Sequence, residues 1–145
     1  MTRARITLSL PVPPSINGTH GIGKTRKRVV AMDEDLGRVV VGFRERQRLY
    51  RMPHYIAWKN AAGSEIIAAR PRLPLRELPA GWYCARVLVD AAALPDVDNV
   101  VKVAIDLLHW MRITPDDRWL WRQSSSRSHR IEPGRCEVTV WSLMA

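Results

Sequence analysis

The sequence has few cysteines and no long apolar run. Only two of its 145 residues are cysteines, Cys84 and Cys136, which is too few for a disulfide framework. Both fall in predicted strands, which favours buried free thiols over the alternative of a disulfide. No stretch approaches the roughly 18 consecutive apolar residues of a membrane span, and the first residues contain no signal-peptide-like apolar run. We therefore expect an intracellular, cytoplasmic protein that does not bind membranes.

Acidic residues are also scarce relative to basic ones. The chain has 14 Asp and Glu against 23 Lys and Arg, with a net charge of +9 and a pI of about 10.5. Such an excess predicts a polyanionic partner, most simply nucleic acid. With 46% hydrophobic residues, the chain is long enough to form one domain with a core. Strands and a few helices that do not strictly alternate predict a single α+β domain.

Alternation of apolar and polar residues predicts the strands, and helical spacing predicts the helices. The predicted strands are Arg5–Leu10, a short one at Val29–Met32, Trp82–Asp90 with Tyr83, Ala85, Val87 and Val89 on one face, Trp119–Arg122, and Arg135–Leu143. One helix is predicted from a cap at Asp33 to about Arg51, and another around Ile56–Ile67. Ser124–Ser128 is predicted to be a polar connection between the last two strands.

The stretch from Leu94 to Asp117 combines several acidic residues with one lysine. Asp96 and Asp98 are two residues apart, so both carboxylates leave the same side of an extended segment. From Asp98 onward the apolar residues follow a helical period up to about Arg112, and Asp98 is the predicted N-cap. Lys102 lies one turn into this helix. The stretch therefore predicts a lysine within reach of a group of carboxylates.

Carboxylates at these positions predict a magnesium site, because Mg²⁺ prefers hard oxygen ligands. The predicted ligands are Asp96, Asp98 and Asp117, with Asp116 nearby. A bound ion would polarise a phosphodiester and activate water, and Lys102 would stabilise the negative charge that develops on the phosphate. Asn99 would fix a carboxylate or a metal-bound water. Asp106 would orient Lys102 and hold it charged.

Each of these residues also has a purely structural interpretation. Asp98 is explained by helix capping alone, and Thr114-Pro115-Asp116-Asp117 is typical of a helix start with Thr114 at the N-cap. Lys102 and Asp106 have the spacing of an ordinary solvated ion pair. The metal-site interpretation is favoured because all of these groups occur together in an arginine-rich chain.

Two motifs resemble the RusA family of Holliday junction resolvases. PDVDNVVKVAIDLL followed by PDD resembles that family's D-x-D-N-x-x-K-x-x-x-D-x-L and later paired Asp, and ITLSLPVPPSIN resembles its opening. The resemblance implies that Asp96, Asp98 and Asp117 are metal-binding catalytic acids and that Lys102 is the catalytic lysine. It also implies a mixed sheet flanked by helices and a phage- or prophage-encoded homodimer. Such a homodimer cuts four-way DNA junctions symmetrically with Mg²⁺, for which Mn²⁺ is the expected substitute.

A basic stretch near the N-terminus has two interpretations. Gly18–Thr25 matches the phosphate-binding pattern G-x-x-x-x-G-K-[ST] of a P-loop nucleotide-binding enzyme. A P-loop needs a strand directly before its first glycine and a helix starting at the Lys-Thr pair. Neither is predicted here, so no nucleotide cofactor is expected.

The favoured interpretation of this stretch is a flexible basic loop that contacts DNA phosphates. Its predicted DNA-binding residues are Asn17, His20, Lys24, Arg26, Lys27 and Arg28. The following arginines either extend this surface or form the solvated side of the predicted helix; they are Arg38, Arg44, Arg46, Arg48 and Arg51. A non-catalytic DNA-binding protein and a nonspecific Mg²⁺ nuclease, both of the same fold, are the remaining alternatives.

Tryptophan is abundant, and two of the six residues share one face of a predicted strand. Trp119 and Trp121 have a spacing that usually places aromatic residues in a core, and at least one of them is expected there. Stacking on unpaired bases is the alternative interpretation. The others are expected to be structural; they are Trp58, Trp82, Trp110 and Trp141.

Overall fold

The computed structural model describes residues 3–14, 20–35, 37–93 and 97–144; within these, the side chains of most of 20–51 and of Asp98 and Asn99 lie outside the description. In chain order the elements are β1 Arg5–Pro11, β2 His20–Asp33, β3 Gly37–Arg51, α1 Pro53–Ala69, β4 Tyr83–Asp90, α2 Val97–Trp110, β5 Leu120–Ser128 and β6 Arg135–Ser142. Short 3₁₀ turns occupy Arg70–Arg72 and Asp117–Trp119.

Four of the strands form one mixed sheet in the order β1-β6-β4-β5. β6 pairs antiparallel with both β1 and β4, whereas β4 and β5 are parallel. The register places Leu8, Val138 and Val87 in one row, and all three side chains are buried. Because side chains alternate between faces along a strand, most of the buried apolar residues of these strands lie on one face of the sheet.

Both helices contribute to the same core as that face. In α1 the buried residues Trp58, Ala62 and Ile66 recur every fourth position and so form one stripe. Trp58 donates a hydrogen bond from Nε1 to the Pro11 carbonyl at 3.0 Å, which ties α1 to the end of β1. The Arg135 guanidinium meets the Glu65 carboxylate in a bidentate pair, with nitrogen-oxygen distances of 3.0 and 2.8 Å. This pair ties α1 to β6.

The chain from β4 through α2 to β5 forms a crossover between two parallel strands. Most of α2 is buried, including Val100, Ala104 and Leu108, and the helix packs against β4 and β5. Parallel neighbours require such a crossover, and a helix is its usual form. The described residues thus form a small α+β domain with a mixed four-stranded sheet and two helices, which confirms the predicted class.

β2 and β3 form a separate antiparallel ribbon. The register runs from His20 opposite Arg51 to Asp33 opposite Gly37, with a bulge at Val29/Val30. Gly37 has a φ of 73°, a left-handed conformation that glycine adopts without steric cost at such a turn. At about 3.3 Å per residue, the 14 residues of β2 span roughly 45 Å.

This ribbon corrects two sequence predictions. The helix predicted from Asp33 to Arg51 is wrong, because those residues form the turn and the whole of β3. The flexible loop predicted for His20 to Arg28 is also wrong, because those residues belong to β2. The β-branched valines of both segments favour an extended backbone, and Gly37 and Gly42 disfavour a helix. An apparent helical spacing of apolar residues was outweighed by these local preferences.

Three smaller predictions are also corrected. α2 begins at Val97, so Asp98 lies inside its first turn and is not the N-cap. Ser124–Ser128 is part of β5, because its backbone pairs with β4 throughout. The residue that caps the turn after α2 is Asp116 rather than Thr114. The strands predicted at Arg5–Leu10, Trp82–Asp90 and Arg135–Leu143 and the helix around Ile56–Ile67 are confirmed within two or three residues.

The two cysteines are free and buried, as predicted. Cys84 lies opposite Trp141, and Cys136 lies opposite Leu10 and Val89. Burial raises the pKa of the Cys136 thiol to about 12. This thiol therefore stays protonated at neutral pH and packs as a small apolar group.

Candidate active site

Lys102 lies on the exposed stripe of α2. Its neighbours Val101 and Val103 are buried, whereas Lys102 and Asp106 are about half exposed. The Lys102 Nζ donates a hydrogen bond to Asp106 Oδ1 at 3.1 Å, one helical turn further along. This is the contact expected from the sequence. It is also the main reason why the pKa of Lys102 is raised above its ordinary value of 10.5.

The C-terminal end of α2 determines where the paired acids lie. Arg112 takes a left-handed φ of 57°, and the Ile113 and Arg112 amides donate to the carbonyls of Leu108 and His109. These two bonds form a Schellman motif, and the buried side chains of Ile113 and Leu108 are at the positions that usually touch in it. The motif ends the helix at a defined residue and fixes the direction in which the backbone leaves it toward Thr114.

Asp116 and Asp117 follow in a capped turn. The Asp116 carboxylate accepts a hydrogen bond from the Arg118 amide at 3.1 Å, and this bond is the main cause of its lowered pKa. The capped turn places Asp117 Oδ2 3.7 Å from Lys102 Nζ. Lys102 of the PDVDNVVKVAIDLL segment and Asp117 of the PDD segment therefore meet at one surface. In the chain they are separated by the rest of α2 and a loop.

Beneath this surface lies a buried tyrosine. Burial raises the pKa of Tyr83, and the negative charges of Asp117, Asp116 and Asp106 raise it further, so the phenol is neutral. The neighbouring Thr114 hydroxyl opposes that shift in part. The Tyr83 and Thr114 hydroxyls are both buried, and within the described part of the chain neither meets hydrogen-bond geometry with a partner. Tyr83 is thus a buried neutral group close enough to the three carboxylates to sense their charge.

Three predicted site residues cannot be placed with these groups. Asp96 lies outside the described residues, and Asp98 and Asn99 lie in the first turn of α2 with side chains outside the description. Among the groups that are described, no three His, Cys, Asp or Glu side chains gather as a metal-binding set. Because Asp96 and Asp98 are two of the three predicted ligands, the magnesium site stays a prediction.

The predicted DNA-binding residues are distributed along β2. Asn17 lies outside the described residues. The other five pair with β3 at regular positions of β2; they are His20, Lys24, Arg26, Lys27 and Arg28. Their side chains are outside the description. The pattern G-x-x-x-x-G-K-[ST] therefore lacks the helix that a P-loop requires after its Lys-Thr pair, since Lys24 and Thr25 lie in the middle of a strand. The structure removes the main support for the nucleotide-binding alternative.

Beside the carboxylates lies an aromatic cluster that the sequence did not indicate. The Trp82 ring makes edge contacts with Trp119 at 5.0 Å and with Trp121 at 5.4 Å between ring centroids. The Arg118 guanidinium carbon lies 5.8 Å from the centroid of the Trp119 ring. Trp119 packs against the core, as expected for at least one of the pair, whereas Trp121 is 66% exposed. We call Trp82, Trp119 and Trp121 the tryptophan cluster.

The other tryptophans differ in their surroundings. Trp58 is buried, in agreement with the structural role expected for it, and Trp141 is partly buried. Trp110 is exposed at the end of α2, where the Lys59 Nζ lies 4.0 Å from the ring centroid. The pairing of β4 with β5 brings Trp82 next to Trp119 and Trp121, and no local pattern in the sequence indicates that pairing.

A comparison of the sequence with protein-family models finds no match, and a comparison with curated proteins finds no significant similarity. None of the described helices is long and apolar enough to cross a membrane. The motifs quoted above are therefore what connects this chain to the RusA family, and membership of that family stays a proposal.

Proposed function

We propose that this protein is a metal-dependent endodeoxyribonuclease that cuts four-way DNA junctions, as its RusA-like motifs imply. One observation carries the proposal: Lys102 Nζ lies 3.7 Å from Asp117 Oδ2 and 3.1 Å from Asp106 Oδ1. A motif match in the sequence alone does not require its two segments to meet. Their meeting on an exposed surface is what a shared active site needs.

The chemistry of Asp117 suits a divalent cation. Its side chain is 54% exposed, and its contact with Lys102 at 3.7 Å is longer than a hydrogen bond. The carboxylate therefore keeps lone pairs for a hard cation such as Mg²⁺, and we assign Asp96 and Asp98 as its companion ligands. When bound, the ion would polarise the scissile phosphate and lower the pKa of an attacking water. Mn²⁺ is expected to substitute, because it accepts the same oxygen ligands.

Lys102 supplies a fixed positive charge next to these acids. Its raised pKa keeps the ammonium group protonated at neutral pH, and Asp106 holds it in place. An ammonium in this position would stabilise the extra negative charge of the phosphate in the transition state. Asp106 then acts as a positioning residue, and Asp116 is occupied in capping the turn that presents Asp117.

The β2–β3 ribbon is the proposed surface for DNA binding. Its register places Lys27, Arg44, Arg46 and Arg48 at positions of one face, since Lys27 lies opposite Arg44, Thr25 opposite Arg46 and Gly23 opposite Arg48. A two-stranded ribbon fits the major groove of B-DNA, and cations along it neutralise phosphates. In the homodimer implied by the resemblance, two such ribbons would hold the four arms of one junction.

The proposal is tested by cleavage of a synthetic mobile four-way junction beside a duplex of the same sequence, with Mg²⁺ and with EDTA. We expect paired symmetric nicks in the junction alone, lost in EDTA. We also expect that Asp117→Asn and Lys102→Met each lower the cleavage rate by at least about 10²-fold, the scale of losing one preorganised charge at an active site. Glu132→Gln removes an exposed carboxylate from the loop between β5 and β6 and serves as the matched control.

The outcomes separate the alternatives. Equal cutting of junction and duplex would make the protein a general nuclease. Tight junction binding without cutting in any variant would favour a non-catalytic DNA-binding protein. Wild-type rates for both Asp117→Asn and Lys102→Met would remove these two residues from the active site. Sedimentation of the protein alone and with the junction measures whether it acts as a dimer.

A further inference from the structure

We propose that the tryptophan cluster is a binding site for an unpaired nucleobase of the DNA substrate, placed directly beside the catalytic carboxylates. The inference rests on the proposed function and adds to it a single-strand contact. It assigns Trp121 as the stacking residue and Trp82 as the residue that fixes the orientation of its ring.

The first support is the combination of order and exposure in the cluster. Trp82 contacts the other two rings edge to face at an interplanar angle of 76°, a preferred geometry for aromatic pairs. Trp119 is anchored by the core, yet Trp121 remains 66% exposed and Trp82 39% exposed. The neighbouring rings already hold this indole in place while its surface stays open to water. It therefore loses little further conformational entropy when a flat partner stacks on it.

The second support is the backbone at Trp121. The parallel register between β4 and β5 shifts at this point, with Tyr83 opposite Leu120 and Cys84 opposite Arg122. Trp121 is therefore the extra residue of a β-bulge, without a partner of its own on β4. Bulges reorient a side chain relative to the regular alternation of the strand and occur next to active sites. Here the bulge explains how Trp121 avoids the core that receives Trp119.

The third support is the position of the cluster in the candidate active site. Trp119 ends the same three-residue 3₁₀ turn that begins with Asp117, the carboxylate that faces Lys102, so one member of the cluster is fixed two residues from that carboxylate. A base stacked on Trp121 would belong to a nucleotide near the phosphate at Asp117. Such a contact would favour substrates with unpaired or unstacked bases near the cleavage point, which a junction centre provides and a continuous duplex does not.

The charges around the cluster favour nucleic acid over a second copy of this chain as the occupant. Arg118 and Arg122 are both exposed, and they flank the cluster along the chain. Two copies of this surface facing each other would bring the exposed Arg118 and Arg122 of both chains together, and such like charges disfavour contact at this place. Aromatic rings interleaved with arginines are the usual platform for single-stranded nucleic acid, where base stacking is combined with phosphate neutralisation.

The test compares Trp121→Ala, Trp121→Phe and a matched control, Trp110→Ala, which removes an exposed indole from the end of α2. Binding in EDTA is measured for a short single-stranded oligonucleotide, a duplex of the same sequence and a four-way junction. Because one stacked base contributes about 1–3 kcal/mol, we expect Trp121→Ala to weaken single-strand binding by about tenfold or more. Trp121→Phe should retain most of the affinity, and Trp110→Ala should bind like the wild type. Quenching of tryptophan fluorescence by the oligonucleotide should be lost only in the Trp121 variants.

Failure of the inference and failure of the proposed function give different results. If the wild type binds the junction but Trp121→Ala binds all three probes equally well, the stacking site is wrong and the nuclease proposal stands. If the wild type binds none of the probes, the proposed function fails and the stacking site fails with it. If Trp121→Ala instead changes the sedimentation of the protein without DNA, the cluster is an interface between copies, which also overturns the inference.

Discussion

The β4–α2–β5 crossover and the β2–β3 ribbon are held in different ways. In the crossover, α2 buries Val100, Ala104 and Leu108 completely, whereas Lys102 and Asp106 face water. In the ribbon, the two strands pair with each other along their length and make few described contacts with the rest of the domain. Met32, near the turn of the ribbon, is 77% exposed.

This difference matches the two tasks in the proposed function. Groups that act on one phosphate must be held within a fraction of an ångström, which requires elements that are locked by a packed core. Lys102, Asp106 and Asp117 are attached to such elements. Cations that bind a long polyanion must be spread over a long surface, but their exact positions matter less, because attraction to phosphates is weakly directional. A two-stranded ribbon of this length is sufficient for that purpose.

The largest effect is expected from a change in the core of the crossover. Leu108→Ala should lower the free energy of unfolding by about 2–5 kcal/mol, because it removes a fully buried side chain and leaves a cavity. Met32→Ala, a truncation of similar size on the ribbon, should change that free energy by less than about 0.5 kcal/mol. Urea unfolding followed by circular dichroism measures both. A large loss for Met32→Ala would mean that the ribbon packs against something, such as a second copy of the chain.

The same contrast explains which parts of the fold were predictable from the sequence. In β4 the buried residues Tyr83, Ala85, Val87 and Val89 alternate, because one face of the strand meets the core. Burial imposes the periodicity, so the periodicity indicates the element. In the ribbon the two strands pair with each other, and the spacing of apolar residues gave no such indication. The valines and Phe43 of the ribbon happened to match a helical spacing, and the helix predicted for residues 33–51 was wrong.

The candidate site was predictable in part, for a related reason. Lys102 and Asp106 are one helical turn apart, so their contact follows from local geometry once α2 is predicted. The approach of Asp117 to Lys102 depends on the left-handed Arg112 and the turn after it, and the sequence indicated it only through the chemistry of a shared metal site and the motif resemblance. The tryptophan cluster depends on the parallel pairing of β4 with β5, a long-range contact that local patterns do not encode.

A smaller effect, confined to DNA binding, is expected from the ribbon. Changing Arg44, Arg46 and Arg48 together to Gln should weaken junction binding and lower the slope of log affinity against log salt by up to about 2.7, or about 0.9 for each lost phosphate contact. Affinity measured at several salt concentrations provides both numbers.

The matched control for that experiment removes the same charge elsewhere. Arg72, Arg76 and Arg130 are exposed and lie outside the ribbon. Their joint change to Gln lowers the net charge by the same amount, and it should alter the slope much less if DNA lies along the ribbon. Equal slopes for the two triple variants would show that the ribbon has no special role and that net charge alone attracts DNA.

The smallest effect is expected from the stability contribution of Lys102. Its ion pair with Asp106 is about half exposed, so Lys102→Met should lower the free energy of unfolding by only about 0.3–0.5 kcal/mol at neutral pH. The folded-state pKa of Lys102 is raised above 10.5. Its contribution is therefore fully present below pH 10.5 and is lost as the pH rises through the higher folded-state value.

Urea unfolding of the wild type and Lys102→Met between pH 6 and pH 11 measures this dependence. The difference between the two proteins should stay constant up to about pH 10, where the lysine is protonated in both the folded and unfolded states, and shrink above it. A difference that changed between pH 6 and pH 8 would mean that Lys102 loses its proton near neutrality. The lysine would then be a candidate proton acceptor rather than a fixed charge, and the crossover would hold a titrating group where we propose a permanent cation.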